Sequence, residues 1–176
     1  MFGNVFESLP HPWWTLAVFA LLTFAIGAGM KRQSASLTIP GVVPRGIGDL
    51  ELAGTRECAA TVLHAWKPAG IRVAIVNTLL DFLFIPCYAT LLALIFFWLA
   101  SVTKHVPVLP VILLVWAWLM WVAGILDVIE NLCMLGMLTM GADAILARVA
   151  QVCATVKFVI TLILIKQTLL ANGACA

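Results

Sequence analysis

Apolar residues in this chain come in four long runs, separated by two brief polar breaks and one long polar segment. The first run, Trp13 to Met30, lies in a stretch (8–30) without Asp, Glu, Lys or Arg. At ~1.5 Å per residue its length is about 27 Å, enough to cross the hydrocarbon core of a bilayer as a helix. Trp13 and Trp14 open it and Lys31-Arg32 close it, as membrane interfaces favour. The run therefore predicts a span over about 13–30.

From Gln33 to Gly70 the pattern turns polar, broken by Pro40, Pro44 and several glycines. Short strands are expected at Ser36–Pro40 and Asp49–Ala53 around the Gly/Pro turn. Thr55 has the position of a helix N-cap. Behind it Ala59, Val62, Leu63 and Trp66 recur at helical spacing as one apolar stripe, which predicts a short amphipathic helix lying on the membrane surface. Lys67-Pro68-Ala69-Gly70 ends it.

The remaining runs predict spans over about 71–100, 108–140 and 144–170. Asp81 and Pro86 interrupt the second, where the missing proline donor predicts a kink. Trp116, Trp118 and Trp121 mark the first half of the third, and Asp127-Val128-Ile129-Glu130-Asn131 its second half. The fourth carries Lys157 and Lys166, the latter near enough to its end to snorkel. The expected fold is an all-α integral membrane protein: one membrane domain over 1–176, with four transmembrane helices and the amphipathic helix in a cytoplasmic loop over 31–70.

Composition agrees. Hydrophobic residues make up 64% of the 176 residues and charged ones 10%, against roughly 45–50% and about 25% in soluble domains. A soluble fold of this size has too little interior to hide so much apolar surface, so the lipid bilayer is the expected partner. A net charge of +2 with no basic run argues against a nucleic-acid partner. The five cysteines, Cys58, Cys87, Cys133, Cys153 and Cys175, form no C-x-x-C pair and read as small hydrophobes. No basic region precedes the first span and no small-residue cleavage site follows it, so no removable signal peptide is expected. Lys31, Arg32, Arg45, Arg56, Lys67 and Arg72 concentrate around the long loop, while no lysine or arginine precedes Trp13. Positive-inside logic puts that loop in the cytoplasm and both termini outside.

With that topology, Asp81, Glu130-Asn131 and Lys157 each fall about ten residues, ~15 Å of helix rise, from the cytoplasmic end of their spans. Asn77, Asp81 and Tyr88 share one face of the second span; Asp127, Glu130 and Asn131 share one face of the third, with Gly124 a turn before them. Lys157 shares a face with Cys153, Ala154 and Thr161, and small residues there allow close helix approach. Unpaired charges at this depth cost several kcal/mol, so these groups should face one another or a wet pocket. Three carboxyls against one ammonium leave a surplus of acid. It requires a protonated carboxyl, a bound cation, or Arg72 reaching in. The expected site comprises Asp81, Asp127 and Glu130 as acceptors, Asn131 and Tyr88 as orienting groups, and Lys157 as counter-ion.

Three functions fit such a site. One is binding or translocation of a proton, metal cation or small cationic ligand. Another is a membrane enzyme acting on a lipid or quinone head group, with the carboxyls as acid and base. The last is a structural or accessory subunit, where an interhelical hydrogen bond contributes only ~0.6–2 kcal/mol. No cofactor is expected. His11, His64 and His105 lie outside the spans, which excludes a haem bundle; H-E-x-x-H, paired E-x-x-H and a phosphate-cradling glycine loop are absent, as is an inverted repeat.

The motifs, in order, are Asp49-Leu50-Glu51-Leu52-Ala53-Gly54-Thr55 before the helix ending in Trp66, Asp81-Phe82-Leu83-Phe84 with Tyr88, Ala123-Gly124-Ile125-Leu126-Asp127-Val128-Ile129-Glu130-Asn131, and Lys157. From about residue 49 to 160 the chain resembles an uncharacterised group of small four-span bacterial membrane proteins. The resemblance implies a bacterial cytoplasmic (inner) membrane and no particular substrate or cofactor.

Overall fold

The structure is a computed structural model that describes the backbone of residues 5–173 and the side chains of 6–162, Glu7 excepted. Its elements are helices: α1 (Val5–Ser8), α2 (Pro12–Ser34), a 3-10 turn (Ala35–Leu37), α3 (Ile47–Glu51), α4 (Arg56–Val102), α5 (Leu109–Met140) and α6 (Ala144–Gly173). Four of them, α2, α4, α5 and α6, are long and apolar enough to cross a membrane. No residue of α2 is buried by protein, and Leu21 and Phe24 stand fully outward on it. Lipid is the cover such a surface needs. Lys166 and Cys175, considered above, lie outside the described side chains.

The amphipathic helix and the second span form one element, α4, broken at Lys67. Its φ of 55° and ψ of 176° leave the helical region. The following Pro68 excludes a helical conformation for the residue before it, and an extended ψ satisfies that restriction. A positive φ on a non-glycine residue costs about 1–3 kcal/mol, held here by the packing on both sides. Through Pro86, by contrast, the helical dihedrals continue. Thr55 caps the helix: its Oγ1 accepts the Cys58 amide at 3.2 Å. Asp143 does the same for α6, accepting the amides of Ile145 and Leu146 at 2.9 and 3.0 Å.

The strand expectations do not hold. Ser36–Pro40 contributes only the isolated pair Ile39–Val43, and Asp49–Ala53 begins inside α3. Local chemistry explains both. Gly41 and Gly46 have φ of 80° and 62°, turning the chain too tightly for a ladder. The Asp49 carboxylate then accepts the Arg45 amide at 2.8 Å and satisfies a donor at the start of α3.

The chain divides into two compact units. One comprises the described residues through Ala28 with Leu83–Ile125; the other comprises Gly29–Phe82 with Leu126 onward. In the first, Gly124 brings α5 against α4, where an added Cβ would lie 3.3 Å from Ile85 and 3.4 Å from Ala89. Edge-on aromatic pairs, Trp13–Trp98 and Phe97–Trp118, add to this packing.

The second unit has a core of Leu37, Val43, Leu50 and Trp66 with residues of α5 and α6, among them Met134 and Ala147. The apolar stripe of the amphipathic helix thus packs onto the protein itself: Ala59, Val62 and Trp66 are buried. This corrects the expectation that its apolar face rests on lipid. A stripe this narrow is covered once the 31–54 segment folds beneath it. The Trp66 Nε1–H donates to the Leu37 carbonyl at 2.8 Å, tying the helix to the 3-10 turn. Replacing it as Trp66→Phe leaves that buried carbonyl without a donor and should cost about 1–3 kcal/mol, read as a lower melting temperature in detergent.

Candidate functional site

The second unit gathers polar side chains from α3, α4, α5 and α6. On α5, the spacing of Asp127, Glu130 and Asn131 puts all three on one face, and they are 5%, 1% and 0% exposed. Asn131 Nδ2 donates to Asp81 Oδ2 at 2.7 Å, joining α5 to α4. From α6, the Lys157 ammonium donates to Asp127 Oδ1 and lies 3.0 Å from Glu130 Oε2. It also stands 5.3 Å from the Phe158 ring centre. Cys153 and Ala154, one turn before Lys157, are buried, so α6 presents small side chains beside the ammonium.

Two acceptors in this group lack a hydrogen bond. Glu130 Oε2 has only its ion pair with the Lys157 ammonium, and Asn131 Oδ1 has no donor. Both are buried, and the Asn131 oxygen, with neither a donor nor a cation beside it, carries its desolvation cost in full.

One acid of the cluster lies outside the set expected from the sequence. Glu51, the last residue of α3, comes from the loop near enough to Glu130, Asp81, Asp127 and Lys157 for their charges to act on it. Burial pushes its carboxyl well above the ordinary carboxylate range. Lys157 opposes the rise, and the negative charges of Asp81 and Asp127 add to it. The turn after it is pinned to α6. Gly54 has φ of 66°, a conformation that strains other residues, and the end of the Gln151 side chain lies against it. Its signal was present in the motif 49–55, but an acid outside the apolar runs carried no mark of burial.

The other polar residues of the second span go elsewhere. Asn77 donates to the Met30 carbonyl at 3.0 Å, bonding α4 to α2. Tyr88 belongs to the other unit, its ring 5.2 Å from Phe84 on the same helix. Arg72 is exposed, and no ion pair among the described residues joins it to the cluster. Nor is any group of three His, Cys, Asp or Glu among the described residues placed to hold a metal ion. A cleft of about 450 Å³ opens in the same unit, lined by Leu63, His64, Lys67, Ile71, Met137 and Leu138 among others; none of the cluster's side chains lines it.

Fold and site together define an all-helical chain with four helices fit to cross a membrane and a buried group of acids around one ammonium. No protein family, curated protein or solved structure matches it. The functional reading rests on the geometry of the chain itself.

Two outcomes follow. Lys157→Met leaves Asp127 and Glu130 buried without their cation and should cost about 3–5 kcal/mol of stability, partly recovered by adding Asp127→Asn; chemical or thermal unfolding of both variants measures it. The second concerns pH. A carboxyl whose folded pKa is raised holds its proton more tightly in the folded state. The stability it contributes is complete below its ordinary value of 4.5 and is lost as pH rises through the raised value. Melting temperature should therefore fall as pH rises above 4.5, and Glu51→Gln should make that fall shallower.

Proposed function

We propose that this chain is a polytopic membrane protein that takes up a proton or a small cationic ligand at the cluster of Glu51, Asp81, Asp127 and Glu130. Asn131 orients the ligand and Lys157 serves as the internal counter-ion. The observation that supports this reading is the imbalance: four carboxyl groups surround a single ammonium, beside a buried amide oxygen without a donor. Fully ionised, the group would hold three negative charges in excess in a low-dielectric setting. Protonation or a bound cation relieves that excess. A donor such as water, hydronium or an ammonium ion meets the need of Asn131 Oδ1 as well. The lack of a three-ligand arrangement favours a proton or an ammonium-type cation over a bare metal ion. The apolar cleft has none of the cluster's acids in its lining, which gives a lipid-head-group enzyme no support there.

We place the 31–70 segment on the cytoplasmic side of a bacterial cytoplasmic membrane, with both termini outside. The concentration of lysine and arginine around that segment supports this orientation.

Ammonium or methylammonium added to the purified protein should raise its melting temperature by several degrees in a concentration-dependent way. The double variant Asp81→Asn, Glu130→Gln should lose that response. Stabilisation of equal size in the double variant would sink the reading.

A further inference from the structure

The cleft of about 450 Å³ beside the amphipathic part of α4 stands apart from the acid cluster, and its lining divides by polarity. Met137 and Leu138 of α5, both buried, form its floor, and the half-buried Leu63 and Ile71 of α4 form its sides. His64 and Lys67 stand exposed at its rim. Neither makes an ion pair or a side-chain hydrogen bond among the described residues, and no acid among those residues lines the cleft. Asp143, which follows Ala142 of the lining, is engaged at the start of α6 with the amides of Ile145 and Leu146.

The cleft also lies where two of the long apolar helices are interrupted. α4 breaks at Lys67, and α5 ends at Met140 with Gly141 at φ of 97°; Lys67 and Gly141 both line the cleft. In a membrane, such interruptions belong at the headgroup level, where the apolar core gives way to water. Lys67 keeps a positive φ that a glycine would hold without strain, a cost of the kind found at ligand sites.

We infer that this cleft seats an anionic phospholipid, with its phosphate at His64 and Lys67 and the start of an acyl chain along Leu63, Ile71 and Leu138. The division of the lining selects an amphiphile. A free phosphate would leave the apolar floor uncovered, and an apolar ligand would leave the lysine charge unanswered. Lys67 supplies a point charge with three donors, and His64 offers an N–H in either protonation state. The volume falls in the range of roughly 300–1,000 Å³ that small-ligand sites occupy, enough for a headgroup and the first part of a chain. The inference rests on the four apolar helices lying in a membrane and is independent of the acid cluster.

Native mass spectrometry of the purified full chain tests this, with phosphatidylglycerol or phosphatidylcholine present in the detergent at equal mole fraction. The wild type should retain phosphatidylglycerol about fivefold better, the order that one lysine contributes toward an anionic surface. His64→Gln combined with Lys67→Gln should abolish the preference, and Lys67→Arg should keep it. Ala60→Trp fills the cleft from α4 without changing its charge. It provides a second variant and should lower phosphatidylglycerol retention by a similar factor. Lys31→Gln combined with Arg32→Gln removes a basic pair at the end of α2, outside the cleft, and should keep the preference. An undiminished preference in the His64, Lys67 variant overturns the proposal, as does an equal loss in the Lys31, Arg32 variant, which would mark a diffuse basic surface. Displacement of the lipid by an equal concentration of inorganic phosphate overturns the lipid as occupant. A dimer that Ala60→Trp dissociates would show a second copy of the chain in the cleft instead, and would also overturn it.

Discussion

Lys157 carries the only positive charge found among the cluster's side chains, and the burial of Asp127 and Glu130 depends on it. A carboxylate inside a helical bundle without a cation would be driven to protonate or to unfold its helix toward water. The ammonium lets two acids from adjacent turns of α5 remain between helices, and with them Asn131, whose amide then reaches Asp81 on α4. Close approach of α6 is the other half of the arrangement. Cys153 and Ala154 keep that face narrow, so a long lysine side chain can fill the space and still deliver its charge. The ammonium cannot neutralise four acids, and the proposed uptake of a proton or cation would relieve that shortfall.

The polar segment between the first two spans has a larger part than a connection. Its apolar residues are few but deeply placed. Leu37, Val43 and Leu50 are fully buried, and Trp66 bonds back to the first of them. The segment becomes a packed layer beneath the amphipathic part of α4, and the tight turns at Gly41 and Gly46 let it fold in so little chain. Because α3 is anchored through Leu50, its final residue is held at a fixed place against α5 and α6. Packing of a small apolar layer thereby positions an acid.

The helix break at Lys67 serves the same end. It separates the part of α4 that packs with the loop segment from the part that carries Asn77 and Asp81. Without it, one straight helix would have to pack both against the loop core and along the rest of α4's helical neighbours. Pro68 imposes the break locally, and the burial of Trp66 on one side and Ala74 on the other maintains it.

Apolar run length and capping chemistry determined the four long helices, because a long, mainly apolar run can satisfy its backbone in lipid only by coiling on itself. The joining of the amphipathic helix and the second apolar run into one element, α4, was not legible, whereas the Thr55 cap and the break near Lys67 are local properties and were. So were the polar positions within the runs, since Asp81, Asp127, Glu130, Asn131 and Lys157 stand out against apolar neighbours. What each side chain meets was not legible. Helical periodicity put Asn77, Asp81 and Tyr88 on one face, but the tertiary structure sends Asn77 to the end of α2, bonds Asp81 to Asn131 and assigns Tyr88 to the other unit. The amphipathic stripe encoded a need for apolar cover without specifying whether lipid or protein supplies it. Glu51 is the clearest case. An acid in a polar segment looks solvated, and only the packing of α3 against α6 brings it to Glu130. Local patterns encode period and length, whereas contacts between distant segments depend on which surfaces fit, and that is decided when the chain packs.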